Sequence, residues 1–428
     1  MPASIGVSLL GAGNVGSAVL SALIKDFERN KQLIGAKLEL KHVLVRDIKK
    51  HQKKFKDVNF TNNFNDVLND QDTLIVIELL GGQDPAKDYI AALLKAGKHI
   101  VTANKEVMAQ SGSELTNLAV KHGTSIRYEA SVGGGIPIIG PLSRDLLANE
   151  IFSISGIING TTNYMLSLMH QEKMSYKDAL LKAQKLGYAE PDPRNDVQGI
   201  DAAYKLAILC GLAFHVDIDP ASIFCQGISE IQLKDLNYAD ELGYVIKLLA
   251  RAELINNEIT CIVCPTLIAK KEPLSKVDGV LNAIQLQGNL VGQVIFEGPG
   301  AGAFPTSSAI LGDVIDAAKN IKNSFSNISN TQLNKIEVSN SENFISRYYL
   351  RLNVVDEPGV LAAISGIMSE HQISIASVIQ TESDQESQTA QLVLITHKAS
   401  RGKIDSVINA INKEKKVDSV VNLLPIID

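Results

Sequence analysis

Along the first 130 residues, apolar and polar positions alternate between two periods. Short apolar runs at 5–10, 38–45, 73–80 and 99–103 have the length and continuity of strands buried on both faces. Between them, a 3.6-residue period predicts helices over 17–30, 84–96 and 106–122, and 125–129 is strand-like again. Strands alternating with helices imply right-handed crossovers, hence a Rossmann-type doubly wound parallel sheet. From about Gly140 the pattern changes. A strand over 151–158 ends in Asn159-Gly160-Thr161-Thr162-Asn163 and opens a helix to about His170. Helical segments near 176–186 and 197–211 flank the loop GYAEPDPRND, and strand-like pieces fill about 260–296. This predicts an α+β domain with a mixed or antiparallel sheet. A Gly-rich run after Phe296 ends as a helix, and 320–343 is polar and linker-like. The last 80 or so residues read as a ferredoxin-like βαββαβ unit.

Composition narrows the classes of function. The 428 residues are 45% hydrophobic and 21% charged, ordinary for a globular chain of about three domains. The charge sum is 41 − 47 = −6 with no Trp, a poor match to a dedicated nucleic-acid binder. Two uncharged stretches, 1–24 and 151–168, resemble membrane segments only superficially. The first lacks a basic leader and carries spaced glycines, and the second carries Ser, Thr and Asn that hydrocarbon disfavours. Four cysteines in so long a chain form no disulfide framework, and Cys261-x-x-Cys264 has no second pair to complete a zinc site. The expectation is a cytoplasmic protein.

Gly11-Ala12-Gly13-Asn14-Val15-Gly16 follows a strand and opens a helix, the context a dinucleotide fingerprint requires. Gly11 permits the tight turn, Gly13 lets the backbone approach a pyrophosphate, and Gly16 lets the helix pack on the strand. The helix N-terminus offers N–H groups to the phosphates. At the end of the second strand, Arg46 favours the 2′-phosphate of NADP, while Asp47 beside it leaves NAD open. The lysines between 49 and 56 read as a solvated face.

The densest chemistry lies between 187 and 205: Tyr188, Glu190, Asp192, Asp196, Asp201 and Lys205. On a helix from about Val197, Asp201 and Lys205 are i and i+4 and share a face. A surface ion pair is the bland interpretation. Against it, Ala202, Ala203, Leu206, Ala207, Ile208 and Leu209 surround Lys205, and a buried lysine among carboxylates is a functional candidate. Thr102-Ala103-Asn104-Lys105, after the fourth predicted parallel strand, places Lys105 at the carboxyl edge of the sheet, where such folds bind ligands.

These pieces together closely resemble the homoserine dehydrogenase family. The resemblance is carried by GAGNVG at the start, LLGG (79–82), TANK (102–105), EASVGGGIP (129–137), NGTTNY (159–164), LGYAEPDPRNDVQGIDAAYK (186–205) and GPGAGAFPTSSAILGD (298–313), in the family's order over about 320 residues. The tail resembles an ACT domain, with Asp356-Glu357-Pro358-Gly359-Val360-Leu361 at its first strand–helix turn, a common amino-acid-binding spot there. Ala303 stands where the family more often has glycine.

The resemblance implies reversible NAD(P)-linked interconversion of L-homoserine and L-aspartate 4-semialdehyde. Lys205 and Lys105 would be the two lysines at the reacting centre. Glu190 and Asp201 would hold the substrate ammonium or the lysine network, with Asp196 assisting, and Gly160, Thr161 and Tyr188 would line the substrate pocket. Cofactor contacts would come from the 11–16 turn, Arg46, Leu80, Gly81, Thr102, Asn104, Lys105 and Gly300. A monovalent cation, usually sodium, would be held by backbone oxygens of Glu129, Val132, Gly134 and Ile136. The resemblance also implies a homodimer or tetramer and a possible effector, threonine being the obvious one. The expected organisation is a nucleotide domain over 1–135, a catalytic and dimerisation domain over 136–300, a return helix over 301–320 packing on the nucleotide domain, a linker over 321–344 and an ACT domain over 345–428.

Oxidising an alcohol needs a base near its O–H and a held hydride acceptor. A free lysine titrates near 10.4, so Lys205 serves as base only in a closed, dry site, or else polarises the semialdehyde carbonyl as a cation. Two rivals are weaker. An ACT-linked 2-hydroxy-acid dehydrogenase needs a catalytic histidine, for which the eight histidines here show no context. A non-catalytic sensor would not need the 105, 201 and 205 set.

Overall fold

A computed structural model describes residues 4–25, 27–323, 336–380 and 389–428. The chain opens with β1 (Ser4–Leu10), α1 (Asn14–Lys25), α2 (Phe27–Ile34), β2 (Lys37–Leu44), α3 (Ile48–Gln52), β3 (Phe60–Thr61), α4 (Phe64–Leu68), β4 (Thr73–Glu78), α5 (Ala86–Lys95), β5 (His99–Thr102), α6 (Lys105–Lys121) and β6 (Ile126–Arg127). Then come β7 (Ile151–Ile157), α7 (Gly160–Gln171), α8 (Tyr176–Lys185), α9 (Arg194–Val197), α10 (Ile200–Phe214), β8 (Phe224–Cys225), α11 (Leu233–Glu241), β9 (Tyr244–Ile255), β10 (Glu258–Ala269), β11 (Leu281–Gly288), β12 (Gly292–Pro299) and α12 (Ala303–Asn323). The tail runs β13 (Glu337–Val338), β14 (Ile345–Val355), α13 (Val360–Glu370), β15 (Ile375–Gln380), β16 (Thr389–Thr396), β17 (Ala399–Ser400), α14 (Arg401–Ile411) and β18 (Val417–Ile427). Among the described residues no helix is long and apolar enough to cross a membrane.

The chain divides into two compact units, one drawn from 1–151, 207–220 and 288–335, the other from 152–206, 221–287 and 336–428. In the first, a parallel sheet runs β3-β2-β1-β4-β5-β6, the order of a doubly wound nucleotide fold. Its two faces carry separate cores because successive side chains on a strand point to opposite sides. Ile5, Val7 and Leu9 pack with Val19 of α1 and with Ile310 and Val314 of α12. Leu10, Val76 and Ile100 pack with Ile90 and Leu94 of α5 and Leu115 of α6.

In the second unit, strands run β11-β7-β9-β10-β18-β14-β16-β15, a mixed sheet in which β9 and β10 pair along all 12 residues and β18 joins β10 in parallel. The predicted βαββαβ tail is present, its core built on Leu350, Leu352, Ile364, Leu394 and Ile404. It is not an appendage: β18 extends to Ile427, and Leu267 and Ile268 pair with Ile426 and Ile427. Sequence periodicity could not place that junction, because strand pairing is non-local.

Three expectations are corrected. The two-residue strand β3 makes β5 the fifth strand rather than the fourth. β9 begins at Tyr244, well before the predicted onset near 260. The helix expected from Val197 starts at Ile200, because Gly199 takes φ +84 and a Cβ there would lie 2.9 Å from Val263 Cγ1. Half of the expected linker (324–335) lies outside the described residues.

His99, on β5, shares Nδ1 with Ser125 Oγ at 2.9 Å, and burial together with Arg127 pushes its pKa down to about 4. It is therefore neutral in the fold, whereas an unfolded histidine protonates near 6.5. Its contribution to stability is complete above pH 6.5 and is lost as pH falls toward 4, by up to roughly 3 kcal/mol. His99→Gln is expected to flatten the fall in urea midpoint between pH 6.5 and 4.5. An identical fall in wild type and variant would refute this.

Candidate active site

The fingerprint turn is set by close backbone approaches. Gly11 takes φ +95, and a Cβ there would sit 2.7 Å from Leu79 O; a Cβ on Gly16 would sit 2.3 Å from Gly11 O. Both glycines are required by packing of β1, α1 and β4. A Cβ on Gly13 would meet no protein atom within 4 Å. Packing therefore does not demand glycine at 13, and the cradle fits a phosphate approaching backbone N–H groups ahead of α1. Ala12 is buried, Asn14 exposed, and Val15 packs on the core.

The carboxyl ends of β4 and β5 are tied by a residue that sequence patterning passed over. Glu78, fully buried, accepts the Leu80 N–H at 2.7 Å and the Thr102 hydroxyl at 2.5 Å, and burial raises its carboxyl pKa. Thr102 Oγ1 in turn accepts the Asn104 N–H at 2.9 Å. Asn104 caps α6 through Val107 N and donates to Gly82 O at 2.7 Å. The expected contacts Leu80, Gly81, Thr102 and Asn104 thus form one preorganised edge, with half-buried Lys105 as the first residue of α6. Glu78 left no sequence signal beyond an acid ending an apolar strand.

Arg46 stands exposed two residues past β2, while the Asp47 carboxylate caps α3 by accepting Lys50 N–H at 3.1 Å. The 129–136 segment turns through Gly133 at φ +72 and Gly134 at φ +55. A Cβ on Gly134 would lie 2.5 Å from Gly300 O, and Gly135 N donates to Pro299 O, so Gly134 and Gly300 lie back to back. The Glu129 carboxylate accepts the N–H groups of Ile138, Ile139 and Gly140 at 2.6–2.8 Å. Its own N–H donates to Asp313, whose pKa burial lifts to about 7. Val132 and Ile136 are buried in this turn.

In the second unit, the acid–lysine cluster is assembled. Lys205 Nζ donates to Asp201 Oδ2 at 2.7 Å and to Ile158 O at 2.8 Å, with the two side chains only 12% and 4% exposed. The surface-pair alternative is therefore excluded. Asn159, which caps α7 through Thr162 N, donates to both Asp196 Oδ1 at 2.7 Å and Asp201 Oδ2 at 2.9 Å. Asn159 is the hub that joins the NGTTNY turn to the 196–205 segment; that this run opens a helix was legible from sequence, the capping and bridging roles of Asn159 were not. Gly160 opens α7, and a Cβ there would lie 2.9 Å from Val280 O and 3.5 Å from Asn282 Oδ1. The Asn282 side chain is buried and has no protein partner among the described residues. Thr161 Oγ1 donates to Tyr188 O at 2.7 Å, and the Tyr188 ring packs edge-on to Tyr164. Glu190 is not drawn into this cluster. Its side chain is exposed on the loop, and among the described residues only its backbone oxygen is engaged, by Gln184 Nε2.

A doubly wound sheet with a phosphate-ready glycine turn, on the same chain as a buried lysine among carboxylates, defines a nicotinamide-dependent dehydrogenase. Comparison with known proteins agrees. The family model described as homoserine dehydrogenase matches residues 137–315, its NAD-binding domain model matches 11–129, and the ACT domain model matches 348–416. Homoserine dehydrogenase of Bacillus subtilis is 37% identical over 423 residues, covering 97% of each chain. The crystal structure of a homoserine dehydrogenase from Thiobacillus denitrificans superposes with a TM-score of 0.94 at 36% identity, covering 99% of this chain and 98% of that one. A hyperthermophilic archaeal homoserine dehydrogenase mutant, solved with NADPH, gives 0.64 at 27% identity, covering 76% of this chain and all of that one. The chain belongs to the homoserine dehydrogenase family. Its reaction is the NAD(P)-dependent interconversion of L-homoserine and L-aspartate 4-semialdehyde in threonine, methionine and isoleucine biosynthesis.

Proposed function

We propose that Lys205 handles the proton of this reaction, that Asp201 positions it, and that Lys105 is the second lysine of the reacting centre. The carrying observation is the double hold on Lys205 by Asp201 and the Ile158 carbonyl. An ammonium has three N–H groups. Two are engaged here, and the third serves the substrate oxygen. In the reducing direction a cationic Lys205 polarises the aldehyde carbonyl and delivers the proton as negative charge grows on oxygen. In the oxidising direction it takes the proton back. This pairing favours the polarising role over a permanently neutral base. A bound nicotinamide cofactor supplies or accepts the hydride. Asp196 and Glu190 hold the substrate ammonium, with Glu190 acting from its loop. Gly160 and Thr161, at the N–H end of α7, suit the carboxylate, with Tyr188 closing the wall.

For the cofactor we favour NADP. Asp47 is occupied as a helix cap, which leaves Arg46 to meet a 2′-phosphate. The NADPH complex of the archaeal relative supports the same choice. Arg46→Ala should raise KM for NADP about tenfold, the loss of one charge-assisted hydrogen bond, and leave KM for NAD unchanged. Equal changes for both cofactors would remove Arg46 from the site. A monovalent cation, sodium first, is assigned to the carbonyls of Glu129, Val132, Gly134 and Ile136; the tight double-glycine turn supports it.

The domain limits 1–135, 136–300, 301–320, 321–344 and 345–428 are retained as functional units. The tail is read as the sensor of an amino-acid effector, threonine first, and the assembly as a homodimer or tetramer. Large apolar side chains on the surface, Leu147, Leu290 and Phe304, support assembly. Four free cysteines support a cytoplasmic site of action.

A further inference from the structure

Among the described residues, four buried side-chain polar atoms lack a hydrogen-bond partner, two on Arg251 and two on Asn282. The Arg251 guanidinium is compensated otherwise, by Glu253 Oε1 at 2.6 Å and by the Phe344 ring 4.8 Å away. Asn282, the second residue of β11, is 1% exposed and has neither its donors nor its acceptor engaged. An unmet buried amide is a standing cost to folding, so its retention calls for a function.

The segment that carries it is held firmly against α7. Asn163 donates through Nδ2 to Val277 O and Leu281 O, both at 3.0 Å. Lys247, on β9 and 3% exposed, donates to Asn163 Oδ1 at 3.1 Å, to Val277 O at 2.6 Å and to Asp278 Oδ1 at 2.7 Å. Gly279 N donates to Ser167 Oγ at 3.1 Å. Asn282 follows this laced segment directly, so its place beside α7 is fixed. Asn163 is an equally buried carboxamide in the same clamp, and it is bonded at both of its polar atoms. A carboxamide kept at 282 for the fold alone would be bonded in the same way.

The unmet group faces the start of the helix. A Cβ on Gly160, the first residue of α7, would lie 3.5 Å from Asn282 Oδ1. In the first turn of a helix the N–H groups have no partner within the helix. Here Asn159 takes the Thr162 N–H on its side chain and the Asn163 N–H on its backbone oxygen. The N–H groups offered to a ligand are therefore those of Gly160 and Thr161, and the Asn282 carboxamide stands next to them. Gly160 is half-buried and Val280 exposed, so the carboxamide lies a single residue beneath the surface. An alanine methyl at 160 would press on Val280 O at 2.9 Å and fill the space against the carboxamide. With neither polar atom bonded, a half-turn about the last torsion exchanges Oδ1 for Nδ2 and brings two N–H donors to the helix end.

We propose that Asn282 is a substrate-binding residue: its carboxamide donates to the α-carboxylate seated at the N-terminus of α7 and so sets the demand for an α-carboxylate on the substrate. The proposal rests on the carboxylate position given above to Gly160 and Thr161. A hydrogen bond to a carboxylate is charge-assisted and stronger than a neutral one. A site that leaves its own amide unmet also discriminates sharply against an analogue that cannot engage it.

The test is Asn282→Leu in the full-length protein, which keeps the branching of the side chain and removes its polarity. Steady-state kinetics at saturating NADP and the thermal midpoint are measured on the same preparations. KM for L-homoserine is expected to rise about fivefold or more, the loss of one charge-assisted hydrogen bond, with kcat and KM for NADP within about twofold. The thermal midpoint should stay level or rise, because two unmet polar atoms leave the core. Competitive inhibitors identify the end of the substrate that is read. 4-Hydroxybutanoate keeps the carboxylate without the ammonium, and 3-aminopropan-1-ol keeps the amine without the carboxylate. The variant should weaken inhibition by the first about fivefold or more and leave the second within about twofold. A smaller rise in KM for L-homoserine overturns the proposal while leaving the carboxylate position at α7 intact. A rise in KM with the loss confined to 3-aminopropan-1-ol also overturns it, and shows that the carboxylate position itself is wrong. A lowered midpoint with KM for L-homoserine and NADP rising alike would make Asn282 a structural residue and overturn it a third way.

Discussion

Lys205→Ala is expected to lower kcat for L-homoserine oxidation by about three orders of magnitude, within the 10²- to 10⁴-fold range of a positioned proton-transfer group. The fold should survive. Asp201 loses the Lys205 contact but keeps Asn159 Nδ2 at 2.9 Å and its place in the first turn of α10, where a helix N-terminus favours an anion. Cofactor affinity, read by fluorescence titration of the reduced nicotinamide, should change less than twofold. Lys205→Arg separates the two readings of the lysine. A guanidinium keeps the positive charge but does not exchange a proton near neutral pH, so a proton-handling Lys205 predicts an altered pH–rate profile in that variant. An unaltered profile with most of the rate retained would leave only electrostatic polarisation. If Lys205→Ala kept more than a tenth of wild-type kcat, the assignment would be wrong.

The largest expected loss of stability is at Asp235. It is completely buried and accepts Arg351 Nε at 2.6 Å, Arg351 Nη2 at 2.8 Å, Tyr349 OH at 3.1 Å, Asn422 Nδ2 at 2.7 Å and the Gln232 N–H at 2.9 Å. Arg351, 1% exposed, also donates to Gln232 Oε1. Burial beside this carboxylate drives the Tyr349 phenol pKa strongly upward. Removing one partner of such a pair leaves an uncompensated buried charge, and Asp235→Ala should cost about 3–5 kcal/mol. Because the network joins α11 to β14 and β18, the loss should weaken the hold of the tail on the catalytic body. The double variant Asp235→Leu/Arg351→Met should lose far less, since it removes both charges together. Urea midpoints for the two single variants and the double one test this. A shift below about 1 kcal/mol for Asp235→Ala would mean that the pair is not carrying the junction.

Much of the site was legible because its chemistry depends on local spacing. The turn at 11–16 needs glycine within one strand–helix junction, and Asp201 with Lys205 needs only the helical repeat, so both survive in the order of residues. Glu78, Asn282 and the bridging role of Asn159 were not legible. Each acts on groups far along the chain: Glu78 on Thr102, Asn282 beside Gly160, and Asn159 on Asp196 and Asp201. A single acid or amide in an apolar run has no periodicity to mark it. The start of α10 was misplaced by three residues for the same reason. Gly199 reads as an ordinary helix glycine until Val263 is seen packed against it.

The sequence by itself determined the class of most of the longer elements, the nucleotide fingerprint, the acid–lysine spacing and the family. These follow from period, turn chemistry and contiguous motifs, which are properties of neighbours along the chain. Only the tertiary structure decided that Lys205 is buried between Asp201 and Ile158 and that the tail continues the catalytic sheet through β18. Those facts depend on strand pairing and desolvation across separations of 47 residues for Lys205 and Ile158 and about 200 for Gln226 and Leu423. Pairing partners at such distances are chosen by the packing of the whole domain, which no local pattern records.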